Sequence, residues 1–102
     1  MKRDRLFLLE KPFADDTLPG REFYCKDCTT IEGLLAAFPE RATNLDVTRV
    51  GFRRPRAEVV VALGEENQGL PSMAFAEGGF ASDMEDLLDA LHRRHGFPER
   101  HP

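Results

Sequence analysis

The strongest constraint on this chain's fold is a change of apolar period over its first half. Arg5-Leu-Phe-Leu-Leu9 is a short continuous apolar run, the pattern of a strand buried on both faces. Ile31, Leu34, Leu35 and Phe38 then recur at i, i+3, i+4 and i+7, the stripe of an amphipathic helix that Pro39 stops. Asn44–Phe52 returns to an extended pattern, with Leu45 and Val47 alternating before the phase slips ahead of Val50 and Phe52. That slip predicts a bulge or a strand buried on both sides. A strand, a helix and a second strand in one short chain imply a parallel pair joined by a crossover. At 102 residues there is room for one such core, so a single domain over 1–102 is expected.

The second half completes the sheet. In Arg53–Gln68, Val59-Val-Val61 favours a strand. Pro55 suits the first turn of a helix, with Gly64 or Gly69 as its stop, and the helix is the preferred reading. Leu70–Ala76 is a short strand entered through Pro71, and Glu77-Gly-Gly79 turns it back into a very short strand at Phe80-Ala81. The last helix opens on Ser82-Asp-Met-Glu85, which fits a capping box with Ser82 as the cap. Met84, Leu87, Leu88 and Leu91 form its apolar stripe, and Gly96 and Pro98 end it. His92, Arg93, Arg94 and His95 crowd its last turn, where positive charge complements the helix dipole. The tail from Phe97 is expected to be loose. The fold class is therefore α/β, a mixed four-stranded sheet with helices on both faces.

Composition removes several function classes. A net charge of −4 offers no overall attraction to nucleic acid or an anionic membrane, although Arg53, Arg54 and Arg56 form a local cluster able to hold a small anion. No apolar run approaches the roughly 18 residues of a membrane span. The apolar patch after MKRDR ends at Glu10, Lys11 and Pro12, short of a signal peptide, so a cytoplasmic protein is expected.

The two cysteines, Cys25 and Cys28, stand three apart where the first helix begins. At that spacing their Cα atoms come within roughly 5–6 Å, inside the range of a disulfide. Free N–H groups and the positive dipole end at a helix start favour a thiolate. The pattern offers Cys25 as an exposed nucleophile and Cys28 as a resolving thiol, with Lys26 and Asp27 tuning the pair in opposite senses. A metal half-site needs further ligands. Besides carboxylates these are only His92, His95 and His101, and the two residues between His92 and His95 fall short of the usual zinc spacing. No resident metal or cofactor is expected. Two ordinary buried thiols are the remaining alternative.

Three stretches together carry a resemblance: FYCKDC before a helix, LPSMAF opening a strand, and GGFASD at the start of the last helix. In that order they resemble the thioredoxin-like superfamily over nearly the whole chain. The glutaredoxins and the N-terminal domains of glutathione transferases are nearest in shape. More narrowly, the chain looks like a family of small uncharacterised bacterial proteins with a domain of unknown function. The resemblance implies a thiol–disulfide oxidoreductase with Cys25 attacking and Cys28 resolving. It implies a cis bond at Pro71 that frees the Leu70 backbone to pair with a thiol substrate. It also implies that Ser82 and Asp83 hold the γ-glutamyl end of glutathione, the possible co-substrate. The alternative is a non-catalytic module of the same fold that binds glutathione or a protein partner. Lys26-Asp27 stands where thioredoxins carry Gly-Pro and glutaredoxins Pro-Tyr. The lysine that glutaredoxins place before the first cysteine is missing.

Overall fold

The computed structural model describes residues 3–102. Strand β1 (Asp4–Leu9) leads through a long loop to helix α1 (Lys26–Ala37) and a 3-10 turn at Pro39–Arg41. Strand β2 (Leu45–Val50), helix α2 (Ala57–Leu63), the hairpin strands β3 (Ser72–Ala74) and β4 (Phe80–Ala81), and helix α3 (Met84–His95) follow. The sheet order is β2-β1-β3-β4, with β1 parallel to β2 and antiparallel to β3, and β3 antiparallel to β4. This is an α/β architecture with a mixed four-stranded sheet, compatible with a thioredoxin-like fold.

The continuous apolar run of β1 is explained by its central place. Leu6 and Leu8 face a core shared with Ile31 of α1 and with Leu87 and Leu91 of α3. Phe7 faces the opposite side, against Val50 and Val59. The phase slip in β2 has the same origin. Leu45 and Val47 join the first core, while Val50 joins the second. The β1–β2 register runs unbroken from Asp4↔Leu45 to Leu9↔Val50, so the strand is used on both sides and carries no bulge. In α2, burial of Val59 against Phe7 outweighs the β-preference of three valines, and Val61 is left exposed.

Four local expectations are corrected. Pro55 precedes α2 and follows a cis Arg54–Pro55 bond, with Arg56 as the residue before the helix. The cap of α3 is Asp83, whose Oδ1 accepts from the Glu85 N–H at 2.8 Å, and Ser82 stands one position outside. His95 does not cap its helix: its Nε2 lies 2.8 Å from Oδ2 of the buried Asp4. His92 Nδ1 reaches the Phe97 carbonyl at 2.8 Å. The start of the tail is anchored, since Phe97 is fully buried with its ring edge-on to Phe38. The αL conformation of Gly96, φ 72°, turns the chain so that Phe97 folds back over Leu91.

Candidate functional site

Four segments meet at the carboxyl end of β1. In open α/β sheets ligands characteristically bind outside the carboxyl ends of strands. The parallel partner β2 ends there too, at Val50, whose carbonyl accepts from the Glu10 N–H at 2.8 Å. The β1–β3 ladder ends at Phe7↔Ser72, so Pro71 and Leu70 lie alongside the last residues of β1. Helix α1 begins against the same end, because the Leu9 N–H donates to Cys28 Sγ at 3.3 Å.

The two thiols occupy different environments. Cys25 is the N-cap of α1 in extended conformation (φ −83°, ψ 119°), and its Sγ accepts from the Cys28 N–H at 3.3 Å. It is partly exposed. Cysteine here does the work usually given to serine or aspartate, satisfying an orphan N–H of the first turn. Cys28 lies one turn in and is 1% exposed. Burial pushes its thiol up to about 12; the Leu9 N–H opposes that, while the Cys25 sulfur and the Asp27 charge add to it. Both cysteines are free thiols. Lys26 is exposed, Asp27 is half-buried, and neither makes an ion pair among the described residues.

The loop between β1 and α1 is ordered by aromatic packing and pairing. Phe13 and Phe23 exchange both backbone hydrogen bonds, at 2.8 and 2.9 Å. The Phe13 ring stacks on Phe52 at 4.6 Å, just beyond β2. Lys11, whose bond to Pro12 is cis, pairs with Glu32 of α1 at 2.7 Å. Arg49 of β2 grips the same carboxylate at 2.7 and 2.9 Å. Arg49 first and Lys11 second hold Glu32 down at about 2, against the opposing effect of burial. An open groove of about 570 Å³ between the loop and the start of α1 is lined by Lys11, Pro12, Glu22, Phe23, Tyr24 and Thr29. Thr29 Oγ1 is a buried atom with no hydrogen-bond partner among the described residues. Across Pro12, a second groove of about 500 Å³ contains Phe13, Phe52 and Arg56.

The Leu70–Pro71 bond is cis and Pro71 is buried. Ser82 and Asp83 follow β4 at the same end of the sheet, since Ala81 pairs antiparallel with Met73. Both are exposed, and the Asp83 side chain is engaged in capping α3. Neither groove beside the loop is lined by Pro71, Ser82 or Asp83. Among the described residues no three His, Cys, Asp or Glu side chains converge as metal ligands, and no helix is long and apolar enough to cross a membrane.

Arg56 was not among the residues singled out for the thiol site. It is 7% exposed, and its guanidinium donates to the Phe52 carbonyl through Nε (3.1 Å) and Nη2 (2.6 Å) and to the Gln68 carbonyl through Nη1 (2.7 Å). The only sequence signal was its place in the Arg53–Arg56 cluster.

Fold and site together define an α/β protein with a two-thiol motif at the head of its first helix, one sulfur accessible and the other buried. The chain belongs to the family described as "Protein of unknown function (DUF3088)", whose model matches residues 3–81. The match spans β1 to β4 and includes both cysteines, Arg56 and Pro71; Ser82, Asp83 and α3 lie beyond it. No curated protein and no solved structure matches the chain.

Proposed function

We propose that this protein is a cytoplasmic thiol–disulfide oxidoreductase of thioredoxin-like type. The observation that carries the reading is the asymmetry of the pair: Cys25 is an accessible helix cap and Cys28 is a buried thiol whose own N–H reaches the Cys25 sulfur. In the first step the Cys25 thiolate attacks one sulfur of a substrate disulfide. A Cys25–substrate disulfide forms, and the other substrate sulfur leaves as a thiolate. In the second, Cys28 loses its proton to solvent and its thiolate attacks the Cys25 sulfur; the Cys25–substrate bond breaks and the remaining substrate sulfur leaves as a thiolate, which takes up a proton from solvent. The substrate gains two electrons and the pair becomes a disulfide. Before the first step Cys28 is held protonated, so it does not compete as the attacker. One of the influences that raise it is negative charge on Cys25, which is absent once that sulfur is in the mixed disulfide.

Leu70, Pro71, Ser82 and Asp83 form the proposed substrate edge, with glutathione or a protein disulfide as substrate and no nucleic acid or membrane partner. The Leu70 backbone offers strand-like pairing. Capping already engages the Asp83 carboxylate, which favours a protein disulfide over the γ-glutamyl group of glutathione. The second reading, a binding module of the same fold with little turnover, draws on the burial of Cys28.

Titration of the pair against glutathione and dithiol buffers, read by mass after alkylation, separates the two readings. A two-electron transition with a defined potential, lost in Cys25→Ser, is expected of the oxidoreductase. Full disulfide reductase activity in Cys25→Ser would overturn it, as would a pair that mild oxidant leaves reduced. Glutathione or protein binding with inert thiols would establish the module instead.

A further inference from the structure

An open sheet has two edges, and each leaves main-chain N–H and carbonyl groups without strand partners. Proteins blunt such edges by keeping them short, or with bulges, proline or charged side chains. The two edges of this sheet differ. β4 is blunted by its length of two residues. β2, the opposite edge, is six residues long and β-branched at Val47, Thr48 and Val50. It holds no proline or lysine, and its register with β1 is unbroken from Leu45 to Val50. Its two charged side chains are turned to partners within the chain: Asp46 pairs with Arg3 at 3.4 Å and Arg49 with Glu32 at 2.7 Å. The edge is therefore long, regular and balanced in charge.

The free groups of this edge are few and defined. Val50 turns its carbonyl toward β1, where it accepts from the Glu10 N–H. Main-chain groups alternate in direction along a strand, so Leu45, Val47 and Arg49 turn theirs outward. Leu45 is already satisfied: its N–H donates to the Ala42 carbonyl at 3.0 Å, and its carbonyl accepts from Arg3 Nη2 at 3.3 Å. Among the described residues nothing bonds to the main chain of Val47 or Arg49 on that side.

We propose that β2 is a self-pairing edge, joining two copies of this chain antiparallel into one continuous sheet with Thr48 on the two-fold axis. Residues opposed across such an axis face the same side of the sheet, so outward groups meet only outward groups. A register with Val47 on the axis sets Leu45 against the partner's Arg49, and Leu45 has no free group to give. The register centred on Thr48 sets Val47 against the partner's Arg49, and each such pair exchanges both main-chain bonds. It uses every free group of the edge and no engaged one. The side chains agree. Thr48 meets the partner's Thr48, a favourable cross-strand pair, and Asp46 meets the partner's Val50 rather than a like charge. The contact closes at two copies, because pairing consumes the one long edge of each. That self-match commits the edge to a second copy rather than to a foreign strand. None of this rests on the thiol chemistry.

The test is sedimentation equilibrium of the full chain over a concentration series, with Cys25→Ser and Cys28→Ser so that neither native thiol cross-links the copies. A reversible monomer–dimer equilibrium is expected. In the same background Thr48→Cys is expected to oxidise to a cross-linked dimer. Opposed residues of a non-hydrogen-bonded pair stand about 4.5 Å apart at Cα, inside the disulfide range. Asp46→Cys, away from the axis, is expected not to cross-link. Val47→Pro removes an outward N–H without touching the β1 ladder and is expected to weaken the dimer about tenfold or more. Should it not fold, Thr48→Lys decides by setting like charges across the axis: loss of the dimer supports the proposal, and unchanged association overturns it. A chain that stays monomeric throughout the series overturns it and leaves the edge to a foreign strand. A dimer that Val47→Pro leaves intact, or that Asp46→Cys locks as readily as Thr48→Cys, uses another face and overturns it too. Reductase activity plays no part in the readout, so this proposal and the oxidoreductase reading can each fail alone.

Discussion

The two ends of strand β1 handle charge in opposite ways. At the amino end, Asp4 is 5% exposed and fully neutralised. Its carboxylate receives two bonds from Arg94, at 2.7 and 2.8 Å, and the Ala76 N–H at 2.8 Å, and His95 stands at 2.8 Å. Arg94 continues to Glu77 and lies over the Phe75 ring. The network joins β1, the β3–β4 hairpin and α3, and Arg94 above all holds the Asp4 carboxyl far below the usual carboxylate range. At the carboxyl end, a buried cation sits on neutral carbonyls and the thiols are satisfied by backbone N–H groups. One end is closed electrostatically and acts as a clasp. The other holds a guanidinium on main-chain carbonyls, with no carboxylate paired to it among the described residues.

The largest test of this contrast is Asp4→Ala. It strands Arg94 and His95 without their shared carboxylate and is expected to cost about 3 kcal/mol in urea unfolding. A loss under 1 kcal/mol would mean that the amino end is no clasp.

Acid comes next. Asp4 and Glu32 are both depressed, so their stabilisation is complete above their unfolded values near 3.8 and 4.5 and is lost as pH falls. For Glu32 the loss runs down through about 2. At pH 3 its share is about 1–2 kcal/mol, reduced because Arg49 and Lys11 are partly solvated. Glu32→Gln should flatten the pH dependence of unfolding between pH 5 and about 2.5 by that amount.

Alkali probes the other end. The raised Cys28 thiol contributes its stability below pH 9.0 and loses it progressively toward about 12. By about pH 10 the loss is ~1 kcal/mol, and Cys28→Ala should abolish it. An unchanged alkaline slope would show that Cys28 is solvated.

The smallest effects separate two neighbours. Asp83→Ala should cost about 1 kcal/mol as the loss of an N-cap. Ser82→Ala should stay within about 0.5 kcal/mol. A reversed order would restore Ser82 as the cap.

Much of the fold was legible because it rests on local rules. The apolar stripe Ile31, Leu34, Leu35 and Phe38 and the Gly78-Gly79 turn involve residues a few positions apart, and each appears near its expected place. Capping was legible only to within a residue. Ser82 and Asp83 both have the right chemistry, and backbone geometry chose between them. The His92–His95 run does lie in the last turn of α3, but its local pattern gives no sign that Asp4, 91 residues away in the case of His95, stands beside it.

The sequence by itself determined the strand–helix–strand order and the place of Cys25 and Cys28 at the head of α1. Side-chain period and helix capping depend on neighbours within about one turn. Only the tertiary structure decided that Leu9 donates to Cys28, that Phe97 is anchored and that, among the described residues, Arg56 stands without a carboxylate. Burial and charge pairing are set by which distant segments share an interior, and no local pattern around Arg56 or Phe97 encodes that.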